Sequence, residues 1–136
     1  MSDRQAVGID IGGTKIAAAR ISAEGEIRAG TVTTTPANDQ SAALPAIEVA
    51  AAEVMDDGVV AIGIGMAGLI DVRSGTLLST PNLVWRDLPL GEGLRAKYGL
   101  PVTVMLETRA HLEYLVRRNS ARRVDEPERV SYAAAG

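Results

Sequence analysis

A glycine-containing turn between two apolar strands, at residues 8–16, is the feature that most constrains the fold of this chain. It reads Gly-Ile-Asp-Ile-Gly-Gly-Thr-Lys-Ile, so an apolar strand runs into an acid, a glycine pair, a hydroxyl and a lysine. Because Gly12 and Gly13 carry no side chains, backbone N–H groups can approach an anion closely. Thr14 and Lys15 add a hydroxyl donor and a positive charge. The pattern favours a phosphate-binding turn, and the alternative is a β-hairpin turn that merely requires glycine.

Asp10 is the acidic member of this turn motif. A carboxylate beside phosphates repels them unless a divalent cation, or a water bound to that cation, lies between the two. Magnesium is the divalent cation that usually accompanies bound phosphates in proteins. The motif therefore also indicates a magnesium ion, with Asp10 as its protein ligand.

Composition narrows the class of protein. The chain has 136 residues, 46% of them hydrophobic, which is enough for one packed domain and too few for two of ordinary size. A formal net charge of -3 gives no electrostatic reason to expect a nucleic-acid partner. The chain has no cysteine, which excludes disulfides and thiolate metal sites within these residues. Since the sequence has neither a signal-peptide pattern nor an apolar run long enough to span a bilayer, we expect a cytoplasmic protein.

Hydrophobic periodicity predicts the order of the elements. The predicted strands lie at 6–11, 15–21, 27–35, 59–66, 101–106 and 129–133. The predicted helices lie at 39–55, with Asp39 or Ser41 as cap, at 90–98, ending at Gly99, and at 108–118. The strand at 59–66 should be central, parallel and buried on both faces. We also expect a small hairpin with its turn at 73–75 and an exposed charged linker at 117–127.

This order, βββαβαβα with a further strand, is that of a ribonuclease H-like lobe, the unit shared by actin, heat-shock ATPases and sugar kinases. The predicted fold class is therefore α/β, with a mixed sheet of about five strands flanked by helices. Such a fold hosts many activities and does not by itself name the chemistry.

Four motifs resemble the N-terminal lobe of the ROK-family sugar kinases, the bacterial glucokinase and N-acetylmannosamine kinase type. They occur in the same order as in that family, at 8–15, 63–71, 80–85 and 100–104. The resemblance implies ATP-dependent phosphorylation of a hydroxyl on a hexose or amino-hexose, with ATP and magnesium as cofactors. It assigns the first phosphate motif to Asp10, Gly12, Gly13, Thr14 and Lys15.

The resemblance also implies that Ala67, Gly68, Pro81 and Asn82 border the sugar. Asn82 offers a donor and acceptors to sugar hydroxyls, and Gly68 lets the backbone approach the ring. For Asn82 the alternative is an Asx turn after proline. Trp85, the only tryptophan, is interpreted as a core residue rather than as a sugar-stacking one.

The chain departs from the family pattern where the catalytic residues are expected. These kinases typically carry Glu-Asn-Asp-Ala-Asn after the strand, whereas this chain reads Met-Leu-Glu-Thr-Arg at 105–109. Leu106 cannot hydrogen-bond to a sugar, and Glu107 stands at the position of the catalytic aspartate with one methylene more. A misplacement of about 1 Å can lower a rate roughly a hundredfold. Glu107 is thus a candidate base, or only an acid in the first turn of a helix.

The resemblance covers one lobe of a two-lobed kinase, so residues 1–136 are expected to form a single lobe without the second phosphate loop and the adenosine pocket. Weak or absent activity is expected of the isolated chain, because roughly half of the ligand contacts would be missing. Two other hypotheses stay open. One is a non-catalytic sugar-sensing or protein-interaction module. The other is a lobe that forms a homodimer, or pairs with a separate second lobe, through exposed apolar surface.

Overall fold

The computed structural model describes residues 4–106, 121–126 and 129–134, which belong to two compact units, 1–106 and 107–136. The strands of the first unit are β1 (Gln5–Ile11), β2 (Lys15–Ser22), β3 (Ile27–Thr34), β4 (Val59–Met66), β5 (Leu69–Asp71), β6 (Thr76–Ser79), β7 (Arg86–Leu88) and β8 (Val102–Leu106). Its helices are a 3-10 helix (Gln40–Ala42), α1 (Ala43–Val54) and α2 (Leu90–Tyr98).

Five of these strands form one mixed sheet in the order β3-β2-β1-β4-β8. The first three are antiparallel neighbours joined by short turns, whereas β4 pairs in parallel with β1 and with β8. Parallel neighbours need a crossover connection, and α1 and α2 supply the crossovers that precede β4 and β8. This arrangement confirms the predicted α/β fold with a mixed sheet of five strands. None of the helices in the described part of the chain is long and apolar enough to cross a membrane.

One face of this sheet carries the hydrophobic core. Alternate residues of β1 and β4 are buried there, since side chains of a strand point to opposite faces in turn: Val7, Ile9, Ile11, Ile62, Ile64 and Met66. Ile47 of α1 and Leu94 of α2 are fully buried in the same cluster. A Cβ on Gly93 of α2 would lie 2.7 Å from Leu44 Cδ2 of α1, so the two helices touch. Both described helices therefore contribute to a single core.

The opposite face of β4 is more open than predicted. Ala61, Gly63 and Gly65, which alternate with the buried residues of β4, are only half-buried. The prediction that the strand at 59–66 is buried on both faces is thus wrong for the described residues, although its central parallel position is confirmed. The physical reason is that α1 and α2 share one core cluster, so neither covers the other face.

The predicted cap at Asp39 and the predicted helix end at Gly99 are confirmed, although Asp39 caps the 3-10 helix and α1 itself begins at Ala43. The Asp39 carboxylate accepts hydrogen bonds from the Ser41 N–H and hydroxyl at 3.0 and 2.6 Å, which caps the 3-10 helix. Helix α2 ends at Gly99 with a φ of 65°, the left-handed conformation that favours glycine. The predicted hairpin is formed by β5 and β6, and β7 pairs with β6 as a third, unpredicted strand.

The second unit contains a two-stranded antiparallel hairpin. Its strands are β9 (Ala121–Glu126) and β10 (Arg129–Ala134), with Glu126 opposite Arg129. The strand predicted at 129–133 is confirmed within one residue. The prediction of a linker at 117–127 is wrong for 121–126, because this polar segment forms a strand whose backbone pairs with β10. The helix predicted at 108–118 lies outside the described residues.

Candidate functional site

The predicted phosphate turn connects β1 to β2 and is closed by one backbone hydrogen bond, from the Gly12 N–H to the Lys15 carbonyl at 2.9 Å. A Cβ on Gly12 would lie 3.1 Å from that carbonyl oxygen, so the closed turn itself favours glycine there. Gly13, Thr14 and Lys15 are exposed. The turn therefore presents a glycine backbone, a hydroxyl-bearing residue and a lysine to solvent.

Asp10 is exposed near the carboxyl end of β1, where it lies opposite Ala17 of β2 and Gly65 of β4. Because side chains alternate along a strand, Lys15 shares a face of β2 with Ala17 and therefore with Asp10. The structure thus brings these two predicted charged residues to the same face of the sheet. The described residues contain no group of three or more metal-ligating side chains. Asp10 alone still fits magnesium, which binds through one or two carboxylates together with phosphates and waters.

Thr35 holds the phosphate turn from the side of β3. Its N–H donates to the Thr14 carbonyl at 3.0 Å, and its hydroxyl donates to the Gly12 carbonyl at 2.8 Å. Among the polar and charged residues that the structure describes, Thr35 is the one that is buried, with 5% of its surface exposed. Sequence reasoning missed Thr35, since threonine is common at strand ends and only its tertiary partners distinguish it.

The two predicted sugar-side segments are neighbours. Gly68 has a φ of 146°, and a Cβ there would lie 2.5 Å from the Ser79 carbonyl oxygen and 3.2 Å from Thr80 Cβ. The half-buried Ala67-Gly68 pair therefore packs against the chain that leads into the exposed Pro81-Asn82 turn. The backbone at Gly68 requires glycine for a local reason, whatever ligand it borders.

The phosphate turn and the Pro81-Asn82 turn lie side by side. A Cβ on Gly13 would be 3.6 Å from Asn82 Cβ, an ordinary van der Waals distance. The predicted phosphate residues and the predicted sugar residue Asn82 are 67 or more positions apart in the chain, yet the fold places Gly13 beside Asn82. This adjacency is the central geometric finding at the site.

Trp85 anchors the Asn82 turn to the core. Its side chain is fully buried, and its Nε1–H donates to the Pro36 carbonyl at 3.0 Å. The neighbouring Val84 N–H donates to the Ala37 carbonyl, also at 3.0 Å. The interpretation of Trp85 as a core residue is confirmed, because a fully buried ring offers no face to a ligand.

The candidate base Glu107 lies outside the described residues. The preceding residue, Leu106, ends β8 opposite Met66, the last residue of β4. The carboxyl ends of the parallel strands β1, β4 and β8 therefore meet at one edge of the sheet, which is where ligands of open α/β sheets generally bind.

A cavity of about 640 Å³ lies at the other edge of the sheet, beside Gln5 at the start of β1 and Gly58 before β4. Its lining mixes guanidinium and carboxylate groups, among them Arg20 and Asp56, which form a salt bridge at 3.1 Å. Because the cavity is at the amino ends of β1 and β4, it is separate from the phosphate turn and is not the candidate site.

Comparison with known proteins shows the family. The sequence profile of the ROK family matches residues 6–120. The chain belongs to the ROK family. A glucokinase of Streptomyces coelicolor is 37% identical to this ROK domain over 98 residues, which are 72% of this chain and 31% of the enzyme. The xylose repressor of Caldicellulosiruptor bescii is 43% identical over 53 residues, 39% of this chain and 13% of the repressor.

A solved structure extends the likeness to the fold. The ROK family glucokinase from Streptomyces griseus, in complex with glucose and AMPPNP, aligns with a TM-score of 0.70 and 37% identity. The alignment covers 83% of this chain and 36% of that one. The chain thus spans about a third of the length of these glucokinases. It is a sugar-kinase-like ROK domain, as its four motifs predicted.

Proposed function

We propose that this ROK domain is the N-terminal lobe of an ATP-dependent hexose kinase, and that residues 12–15 and 81–82 bind the two substrates side by side. The observation that carries the proposal is that Gly13 lies beside Asn82, since a Cβ added to Gly13 would be 3.6 Å from Asn82 Cβ. Phosphoryl transfer needs the phosphate donor and the acceptor hydroxyl in contact, and this adjacency meets that need. The similarity to glucokinases of two Streptomyces species supports a hexose as acceptor.

On the phosphate side, the Gly13 amide and the Thr14 hydroxyl donate hydrogen bonds to phosphate oxygens, and Lys15 adds a positive charge. The Asp10 carboxylate, which lies on the same face of the sheet as Lys15, would hold a magnesium ion. When bound, magnesium neutralises charge on the phosphates.

On the sugar side, the Asn82 amide donates to one hydroxyl and accepts from another. Ala67 and Gly68 present backbone groups beside it, and Pro81 fixes the entry of the turn. Because these residues are exposed or half-buried, the sugar can reach them from solvent.

Glu107 is proposed as the general base. In the sequence it directly follows Leu106, the last residue of β8. It takes the proton of the acceptor hydroxyl, the hydroxyl oxygen bonds to the γ-phosphorus, and the bond from that phosphorus to the bridging oxygen breaks to release ADP. The extra methylene of glutamate, and Leu106 in place of a sugar-binding asparagine, make slow turnover the expectation.

The test is hexose-dependent ADP formation by the chain, with Glu107→Gln and Glu107→Asp as a matched pair. We expect slow ADP formation that Glu107→Gln abolishes and that the shorter Glu107→Asp retains. Hexose-dependent ADP formation that is unchanged in Glu107→Gln would contradict the assigned base. ADP formation that does not depend on any hexose would contradict a hexose kinase.

A second candidate function is sugar sensing without catalysis. The similarity to a xylose repressor and the replacement of the usual asparagine and aspartate by Leu106 and Glu107 favour it. It predicts calorimetric binding of a sugar that Asn82→Ala removes, with no ADP formed. A chain that binds no sugar at all would leave the protein-interaction hypothesis, in which a homodimer or a separate second lobe covers the exposed apolar surface.

A further inference from the structure

The chain between β3 and the 3-10 helix hydrogen-bonds to both halves of the proposed site. Thr35 reaches the phosphate turn through two donors, its N–H and its hydroxyl. The next two residues, Pro36 and Ala37, accept hydrogen bonds from the Trp85 indole and the Val84 N–H, which follow the Asn82 turn. Residues 35–37 therefore form a bridge between the two turns that the proposed function assigns to phosphate and sugar.

The hydroxyl bond of Thr35 fixes the direction of one peptide group in the phosphate turn. The described chain contains no cis peptide bond, so the carbonyl of Gly12 and the N–H of Gly13 point to opposite sides of their shared peptide plane. Since the Gly12 carbonyl is held toward Thr35, the Gly13 N–H points away from it. Gly13 itself is exposed, so a ligand can approach this residue from solvent.

We infer that Thr35 is a positioning residue for anion binding: its hydroxyl orients the Gly12–Gly13 peptide so that the Gly13 N–H faces a nucleotide phosphate. The nucleotide as ligand rests on the proposed function, whereas the orientation of the peptide does not. The burial of Thr35 strengthens the inference, because its hydroxyl and the Gly12 carbonyl satisfy each other where little water can replace either. The bridge then holds the Asn82 turn beside the same peptide.

The test compares three variants of the full chain by residue-specific NMR without any ligand. Thr35→Val keeps the β-branched shape and the backbone N–H but removes the hydroxyl, and Thr35→Ser keeps the hydroxyl. Thr103→Val makes the same change at an exposed position of β8 and serves as the matched control. In Thr35→Val we expect hydrogen exchange of the Gly12 amide to be about tenfold faster and the chemical shift of the Gly13 amide to change. Thr35→Ser and Thr103→Val should match the wild-type chain.

A titration of magnesium ATP by calorimetry is the second measurement on the same variants. We expect the affinity to fall about tenfold in Thr35→Val and to be restored in Thr35→Ser, as loss of one oriented donor predicts. If the wild-type chain binds no magnesium ATP but the Gly12 and Gly13 signals respond as described, the proposed function fails and the orienting role of Thr35 stands.

Unchanged Gly12 exchange and an unmoved Gly13 signal in folded Thr35→Val would overturn the inference, whatever the nucleotide affinity. If Thr35→Val does not fold, Thr35→Ser decides the question. A folded serine variant with wild-type Gly12 exchange supports the role of the hydroxyl, and one that has lost this protection overturns it.

Discussion

Replacing Gly68 by alanine is expected to destabilise the fold strongly, even though the residue lies at the proposed sugar side of the site. At a φ of 146° the backbone occupies a region that side-chain-bearing residues rarely adopt. The added Cβ would also lie 2.5 Å from the Ser79 carbonyl oxygen, a backbone atom that cannot rotate away. Two separate penalties therefore apply at one position.

The strain of this backbone conformation costs about 1 to 3 kcal/mol. The steric conflict costs about 1 to 3 kcal/mol more, as overpacking does in general. With an m value of about 2 kcal/mol per M, the combined loss lowers the urea midpoint by about 1 to 3 M. Gly63→Ala is the matched control, because a Cβ there meets no heavy atom within 4 Å and its φ is not positive. Since alanine lacks the entropic cost of glycine in a strand, Gly63→Ala should be neutral or slightly stabilising.

The assay is urea unfolding of both variants and the wild-type chain, followed by circular dichroism. The expected result is a large fall of the midpoint for Gly68→Ala and no fall for Gly63→Ala, with equal slopes. If Gly68→Ala unfolded at the wild-type midpoint, the close approach of residue 68 to the chain before Asn82 would be refuted. If the urea midpoints of both variants fell equally, a general sensitivity of the fold to alanine in place of glycine would explain the loss, and the local contacts of Gly68 would not.

Two further predictions concern the buried Trp85 and the Asp39 cap. Trp85 is the only tryptophan and is fully buried. The tryptophan fluorescence of the native chain should therefore be blue-shifted and poorly quenched by acrylamide. Emission like that of free tryptophan would contradict the burial of Trp85. The Ser41 hydroxyl and N–H hold the pKa of Asp39 below its ordinary value of 3.8, so the cap stabilises the chain above that pH and loses this effect as the pH falls through the lowered pKa. The gap in urea midpoint between wild type and Asp39→Ala should therefore close in acid, and a gap independent of pH would contradict the cap.

Local patterns were sufficient to predict most of the sheet. The strands β1, β2 and β3 and the end of α2 at Gly99 follow from apolar runs broken by glycine, so the predicted bounds agree with the structure to within one or two residues. The short strand β7 was not predicted, because three residues with only one buried side chain carry no periodic signal and owe their form to pairing with β6.

The site could be predicted in its parts but not in its assembly. The separate motifs predicted a phosphate-binding turn and a sugar-binding turn. The position of Gly13 beside Asn82 depends on tertiary packing, which no local pattern encodes. Thr35 was not predicted for the same reason, since its role depends on hydrogen bonds to the carbonyls of Gly12 and Thr14. The assignments of Asp10, Lys15, Asn82 and Glu107 to ligands remain predictions.

A residue-specific NMR titration of the chain tests whether the two adjacent turns form one site for nucleotide and sugar. Magnesium AMPPNP is added first, and glucose second. We expect the nucleotide to change the amide chemical shifts of residues 12–15 and glucose then to change those of residues 67–68 and 82. Movement confined to the distant cavity around Arg20, or no movement of either set at saturating ligand, would contradict this expectation.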